Sequence, residues 1–467
     1  MNNDRQDSFD IVEVWWSSEV SPGDLKWFQS PQDIPYRLSR QMDLKWTVPE
    51  ALATTSLVVT PNHTCQEILG MGTSMEETTV YNLAKISSSE REPILRLLVD
   101  KESGIGLNLI RITMGTSDFT GQTFYTYNDL AEGETDFEQQ YFSIQQDMES
   151  GIVEMIQQLL SMAPDVKIFA SSWSPPAWMK TSNSLKRGSL KEGSEYTVAL
   201  ARYYRMAIEA YKEQGIPIYA MTLQNEPLFE TDYPSCYMSP ERQKELAVLL
   251  GREFDKHDLD TKIWIFDHNF SDVWSYVTPI LNDEEGYAVV DGIALHDYEG
   301  SPEVMSEIHA AYPDKPIYLT ERSLWGTDGA DRMAQYFRNY ACSYNAWVTM
   351  LDSNIRPHQW LGTPGPTMVI QDASNANRYW LTPEYYLLGQ YAKFVERGAH
   401  RVASNYGSKD TVTNVVFRNP DGHLIAVVIN QSDSDQDFRI LCEGRQLTDQ
   451  LPAKTVGTYR WKGLHAL

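Results

Sequence analysis

The chain lacks any apolar run close to the ~20 residues that a bilayer span requires, and it lacks an excess of basic charge. Its formal net charge is −25, from 39 basic and 64 acidic residues. Such a surface repels nucleic-acid phosphates and anionic lipid headgroups, so neither a nucleic-acid partner nor a stable membrane anchor is expected. Cysteine is scarce: Cys65, Cys236, Cys342 and Cys442 stand far apart, with no CxxC and no Cys/His pairing. A disulfide framework and a structural zinc site are therefore not expected. A phosphate-binding glycine loop is also missing, because "GMGTSM" does not have the G-x-G-x-x-G spacing. The N-terminus, "MNNDRQDSFDIVEVWW", has no basic start followed by an apolar core. A cytoplasmic location is the resulting expectation, although a chain whose secretory signal had been trimmed would read the same way.

What is present describes a folded globular protein: 42% of residues are hydrophobic and 12% aromatic, including 13 Trp and 26 Tyr. Flat aromatic faces suit sugar rings, and they fill cores equally well. The length of 467 residues allows two or three domains.

From about residue 66, short apolar runs alternate with amphipathic stretches. Strands are predicted over 67–72, 107–114, 166–173, 218–226, 262–269, 291–298, 316–323 and 346–353. Helices are predicted between them, at 88–101, 148–162, 194–214, 239–256, 302–312 and 330–344. Eight such units point to a (β/α)8 barrel, whose usual size is about 250 residues plus insertions. The doubly wound open sheet is the rival, disfavoured by the missing glycine loop. After about residue 397, short alternating strands are broken by Asn-Pro, Asp-Gly and Ser-Asp turns. This tail is short for a sandwich, so the N-terminal strands at 9–17 and 44–48 are expected to complete it. The expected division is 1–64 and 397–467 in a side β-sandwich, with 65–396 as the barrel.

Barrel chemistry sits at the C-terminal strand ends. There the sequence places Asn225-Glu226, Glu321, Trp173, His296 and Tyr298, with Arg111 on the second strand and Glu76-Glu77 in the first loop. Two carboxylates flanking a sugar are what glycoside hydrolysis requires. A separation of about 5–5.5 Å would give retention, and about 6.5–9.5 Å inversion. An arginine near Glu321 would lower its pKa, while repulsion and partial burial would raise that of Glu226. Glu76 and Glu77 could equally be first-turn charges of a helix.

In this order, "GMGTSMEE", "LNLIRITMGTSDFTGQTFYTYND", "ASSWSPPAWMKT", "GSLK", "TLQNEP", "DGIALHDY" and "YLTERS" resemble glycoside hydrolase family 30, the glucosylceramidase-like family. "WLGTPGP" and "EYYLLGQYAKFVERGAHRV" extend the likeness over nearly the whole chain. The resemblance implies a barrel with a side β-sandwich and a retaining β-glycosidase without metal or cofactor. The implied substrate is a small-molecule or oligosaccharide β-glycoside, most simply a β-glucoside; β-1,6-glucan and β-xylosides are the family alternatives. It casts Glu226 as acid/base, Glu321 as nucleophile, and Asn225 as the amide on the sugar 2-hydroxyl. Arg111, His296 and Tyr298 fall on positions near the nucleophile, and Trp173 on a subsite wall. Two departures stand out. The hydroxyl-clamping Asp of glucosylceramidases is best matched by Glu77, and Met350 replaces a second Trp, for which Trp360 is the candidate substitute. A catalytically inactive sugar-binding scaffold and a metal-dependent barrel hydrolase are the readings outside this frame.

Overall fold

A computed structural model describes residues 10–20, 28–50 and 54–464. Eight parallel strands close into a barrel: Gly70–Ser74, Leu109–Met114, Lys167–Ser172, Ile218–Thr222, Lys262–Asn269, Gly292–His296, Ile317–Glu321 and Ala341–Ala346, here numbered 1 to 8. Nearly every residue in them is buried, as expected for parallel strands sandwiched between helices and barrel interior. The first seven lie where the sequence predicts them. The eighth does not: it occupies 341–346 rather than 346–353, and the preceding helix is Gly326–Arg338 rather than 330–344. "ACSYNA" carries little β-branched apolar character, and two of its polar side chains bond inside the fold. Asn345 Nδ2 donates to Ser74 Oγ at 3.2 Å, and Tyr344 Oη donates to the Arg322 carbonyl at 2.8 Å. The run at 350–352 instead joins a small three-stranded sheet beside the barrel mouth.

The barrel interior is layered. Its floor is apolar: Leu109, Phe169, Ala220, Trp264, Ala294, Tyr318 and Cys342 pack together, with Trp264 stacked on Tyr318 at 4.0 Å. Strand alternation places Arg111, Ser171, Thr222, Thr320 and His296 two residues further up and on the same face. Strand 5 breaks this period. Ala294 pairs with Phe266 but Leu295 pairs with His268, so one extra residue is accommodated at Asp267. Phe266 and Asp267 both have left-handed φ, +76° and +67°. The bulge sends Phe266 out against Tyr276 and Asp267 into the polar layer.

Residues from both ends of the chain build the second body. Strand Ile11–Ser18 pairs antiparallel with Thr455–Lys462, and Thr55–Glu67 lies between His400–Ser404 and Gln436–Cys442. Phe9, where the first strand was predicted to start, lies outside the described residues. Val12, Val14, Leu57, Val428, Ile440 and Trp461 share its core. It is tied to the barrel through buried Asp331, which accepts from Tyr406 Oη and from Thr413 Oγ1 at 2.7 Å each. The four cysteines are free. Among the described residues, no helix is long and apolar enough to cross a membrane.

Candidate active site

Above the apolar floor lies a charged layer organised by Arg111 and Asp267. The fully buried Arg111 guanidinium donates to Asp267 Oδ2 at 3.0 Å, Asn225 Oδ1 at 2.8 Å and Ser171 Oγ at 3.0 Å, and it pairs with Glu321 Oε2. Asp267 in turn accepts from Thr222 Oγ1 at 2.5 Å, Thr320 Oγ1 at 2.6 Å and His296 Nε2 at 3.0 Å. Burial alone would raise the Asp267 pKa, but Arg111 and then His296 depress it far below the usual carboxylate range. A buried charge is tolerable only when paired and fully hydrogen-bonded, and this network supplies both conditions.

The two glutamates sit on top of this layer. Glu321 ends strand 7, and its Oε1 accepts from Tyr298 Oη at 2.8 Å. Glu226 follows strand 4, where Asn225 N donates to the Ser172 carbonyl and Glu226 N to the Asp267 carbonyl, at 2.8 and 3.0 Å. Those bonds hold Glu226 in the left-handed region at φ +46°, a conformation costing a non-glycine residue about 1 kcal/mol. Such strain is a common feature of functional positions. His296 joins the pair: its Nδ1 lies 3.3 Å from Glu226 Oε1 and 3.8 Å from Glu321 Oε1.

Electrostatics follow from that contact. Burial disfavours a charge on His296, but Glu321 and Asp267 more than offset it and push its pKa up to about 10. Burial would raise the Glu226 pKa, yet the hydrogen bond and charge of His296, then the charge of His268, hold it below its ordinary value. The sequence-based expectation of a raised Glu226 is thus corrected. It counted burial and repulsion from Glu321 but not the imidazolium between them.

A cavity of about 650 Å3 opens over the glutamates. Glu226, Glu321, Asn225, Trp173, Tyr298 and Trp360 all line it. Arg111 and His296 lie just beneath. Glu77 does not reach it: its carboxylate accepts from Thr113 Oγ1 at 2.8 Å and Ser117 Oγ at 3.1 Å behind the wall. Glu76 is the N-cap of helix Glu77–Ala84 and accepts from Thr79 N at 3.0 Å, so the helix-terminal reading describes this pair. Beside the two glutamates, Asp118 from the loop after strand 2 also lines the cavity, as do Asp272 and Glu299. Burial first, and then the charge of Glu321, raise the Asp118 pKa well above the usual range.

The second tryptophan is also supplied from elsewhere. Trp347, directly after strand 8, stacks on Trp173 at 5.1 Å and 21°, and both rings face the Arg111 cation, at 5.4 and 4.8 Å. Trp360 stands at the rim, 37% exposed. Trp178 is wall packing: it is buried against Phe137 and its Nε1 donates to the Asn128 carbonyl at 3.2 Å. Sequence reasoning missed Asp118, in the loop after strand 2, Asp267, inside strand 5, and Trp347, directly after strand 8.

Comparison with known proteins decides the family. The Glycosyl hydrolase family 30 TIM-barrel domain matches residues 68–395, and the family's beta sandwich domain matches 398–459. The chain belongs to glycoside hydrolase family 30. It is a glycosidase of that family, with the barrel and β-sandwich expected from its motifs. The endo-1,6-beta-D-glucanase neg1 of Aspergillus fumigatus is 30% identical over 422 residues, covering 84% of this chain and 85% of its own. The lysosomal acid glucosylceramidase of Mus musculus is 27% identical over 458 residues, or 91% of this chain and 88% of its own. A solved structure, the endo-beta1,6-glucanase BT3312, superposes with a TM-score of 0.82 at 26% identity, over 97% of this chain and 99% of that one.

Proposed function

We propose that this family 30 enzyme hydrolyses β-1,6-linked glucan within the chain, with retention of anomeric configuration. In the first step Glu321 attacks the anomeric carbon as the C1–O bond breaks, and Glu226 gives its proton to the departing oxygen. In the second, Glu226 takes a proton from water, which attacks C1 and frees Glu321. Asn225, oriented by Arg111, is placed to hold the sugar 2-hydroxyl. Asp118 is the candidate clamp on the remaining hydroxyls, and the Trp173–Trp347 pair the apolar wall behind the ring.

The observation that carries this reading is the contact of both carboxylates with one imidazole nitrogen, at 3.3 and 3.8 Å. Sharing that nitrogen keeps the two carboxylate oxygens within about 7 Å of each other, a bound that takes in the roughly 5–5.5 Å of retaining enzymes and excludes most of the roughly 6.5–9.5 Å range of inverting ones. The β-1,6 preference rests on likeness to endo-1,6-β-glucanases and on the shape of the mouth. The main cavity shares Tyr298, Arg322, Ser323 and Trp325 with a second, of about 460 Å3, leaving room for sugars beyond the cleaved bond.

Product sizing on linear β-1,6-glucan tests the proposal. A ladder of oligosaccharides, appearing first as β-anomers by NMR, is expected. Release of glucose alone, or initial α-anomers, would contradict it. A second reading, a β-glucoside with an apolar aglycone, is favoured by the mouse glucosylceramidase likeness and by exposed Phe229, Trp325 and Trp360 around the mouth. Parallel assays on glucosylceramide, pNP-β-glucoside and pNP-β-xyloside separate the readings.

A further inference from the structure

One ring nitrogen in the cavity wall lacks a hydrogen bond where one would be expected. His268, the penultimate residue of strand 5 and only 7% exposed, points its Nδ1 toward Glu226, and that buried nitrogen has no hydrogen bond. It lies 3.8 Å from Glu226 Oε1, which is also 3.3 Å from His296 Nδ1. Among the described residues, Glu226, His268 and His296 form the one group of three side chains whose ligand atoms all fall within 4.8 Å of one another.

These lengths match a known geometry. Tetrahedral zinc with bonds of about 2.0–2.1 Å has ligand-to-ligand edges of about 3.3 Å. One edge is already at that length, and the others need shifts that side chains on a cavity wall can make. The surroundings fit as well. The far nitrogen of His296 donates to Asp267 Oδ1 at 3.0 Å, the carboxylate–histidine arrangement that orients metal-binding imidazoles. The open cavity leaves a fourth position for water, and Glu321 Oε1, 3.8 Å from His296 Nδ1, offsets the added charge.

We propose that Glu226, His268 and His296 form a binding site for a borderline divalent cation of the zinc class, and that occupancy inhibits the enzyme reversibly. The cation takes the place of the proton on His296 Nδ1, which leaves to solvent, while Nε2–H stays on Asp267. Glu226 Oε1 then donates its lone pair to the metal and can neither deliver a proton nor accept one. Two imidazoles and one carboxylate select zinc, nickel or copper over magnesium and calcium, which prefer all-oxygen shells. The inhibition, unlike the binding, rests on Glu226 being the acid/base.

Titration calorimetry of the tag-free protein with zinc chloride tests the site without reference to turnover. One zinc per chain is expected, with no measurable binding of magnesium. His268→Gln and Glu226→Gln, each verified as folded by circular dichroism, should each weaken zinc at least about tenfold. Absence of a one-to-one site, or equal affinity in both variants and the parent chain, would overturn the proposal. Activity gives the separate readout. Zinc should suppress hydrolysis and EDTA should restore it, and full activity at saturating zinc would overturn the inhibitory role. If zinc binds as expected but no glycoside is cleaved under any condition, the glycosidase assignment of Glu226 falls while the site stands.

Discussion

His296 and Glu226 form an ion pair across the barrel mouth, with Nδ1 3.3 Å from Oε1, and that contact lowers the pKa of the glutamate while raising that of the histidine to about 10. The two groups titrate as a unit. Replacing the ring by an amide removes a positive charge from beside Glu226 and from beside Glu321.

His296→Gln is therefore expected to raise the Glu226 pKa. The protonated glutamate is the form that gives its proton to the glycosidic oxygen, so the alkaline limb of the kcat/KM profile should move to higher pH. Maximal kcat/KM should fall by about 10²-fold as the nucleophile loses a neighbouring charge. A profile of unchanged shape would show that the ring does not set the protonation of Glu226.

Arg111 holds four partners at once: Asp267, Glu321, Asn225 and Ser171. Arg111→Met leaves the buried Asp267 and Glu321 without their guanidinium partner, at a cost of about 3–5 kcal/mol. Urea unfolding should show that loss together with loss of activity. Parent-like stability would mean that the charged layer contributes nothing to the fold.

Several buried acids make stability depend on pH in an uncommon direction. Glu76 is pushed up to about 8, Glu77 to about 7 and Asp147 to about 6, each chiefly by burial. Asp147 is raised although it accepts from the hydroxyls of Tyr125, Tyr127 and Tyr211. A folded pKa above the unfolded one means that the native state binds more protons. Stability from these groups is complete below about pH 4 and is lost as pH rises to about 8. His296 acts in the same sense over a higher range, from 6.5 to about 10. Melting scans from pH 5 to 8 should show Tm falling, and Glu76→Gln should flatten that slope. A Tm that rises across this window would contradict the burial assignments.

Asp118 and Glu77 can be told apart by kinetics. Asp118→Asn removes a carboxyl group that faces substrate, and the loss of its hydrogen bonds should cost about 1–3 kcal/mol, roughly 5- to 150-fold in kcat/KM. Glu77→Gln keeps shape and hydrogen-bonding capacity at a site outside the cavity, so kcat/KM at pH 6 should change less than about threefold. The opposite ranking would restore Glu77 to the position that the sequence suggested.

That pair also shows where sequence reading stops. Barrel strands 1 to 7 were legible because each is a short apolar run buried on both sides, and the glutamates because strand ends are where barrels expose chemistry. Strand 8 was misplaced by five residues because it carries little β-branched apolar character, and polar residues such as Tyr344 and Asn345 bond within the fold rather than signal a loop. Asp267 was invisible because a one-residue bulge, not its place in the alternation, turns it inward. Asp118 was not singled out because, like Glu77, it lies in a loop after a strand, and only the fold tells which loop faces the cavity. Trp347 was not singled out for a related reason: a strand placed five residues late puts Trp347 within it rather than at its end.

The most direct test of the assigned roles is the anomeric form of azide products from a β-glucosyl substrate with a good leaving group. With Glu226→Ala, azide should attack the glycosyl-enzyme opposite Glu321 and yield the β-glycosyl azide. With Glu321→Ala, azide should enter the vacated space and yield the α-glycosyl azide. The reverse assignment of anomers, or undiminished hydrolysis in either variant, would contradict the two-carboxylate account.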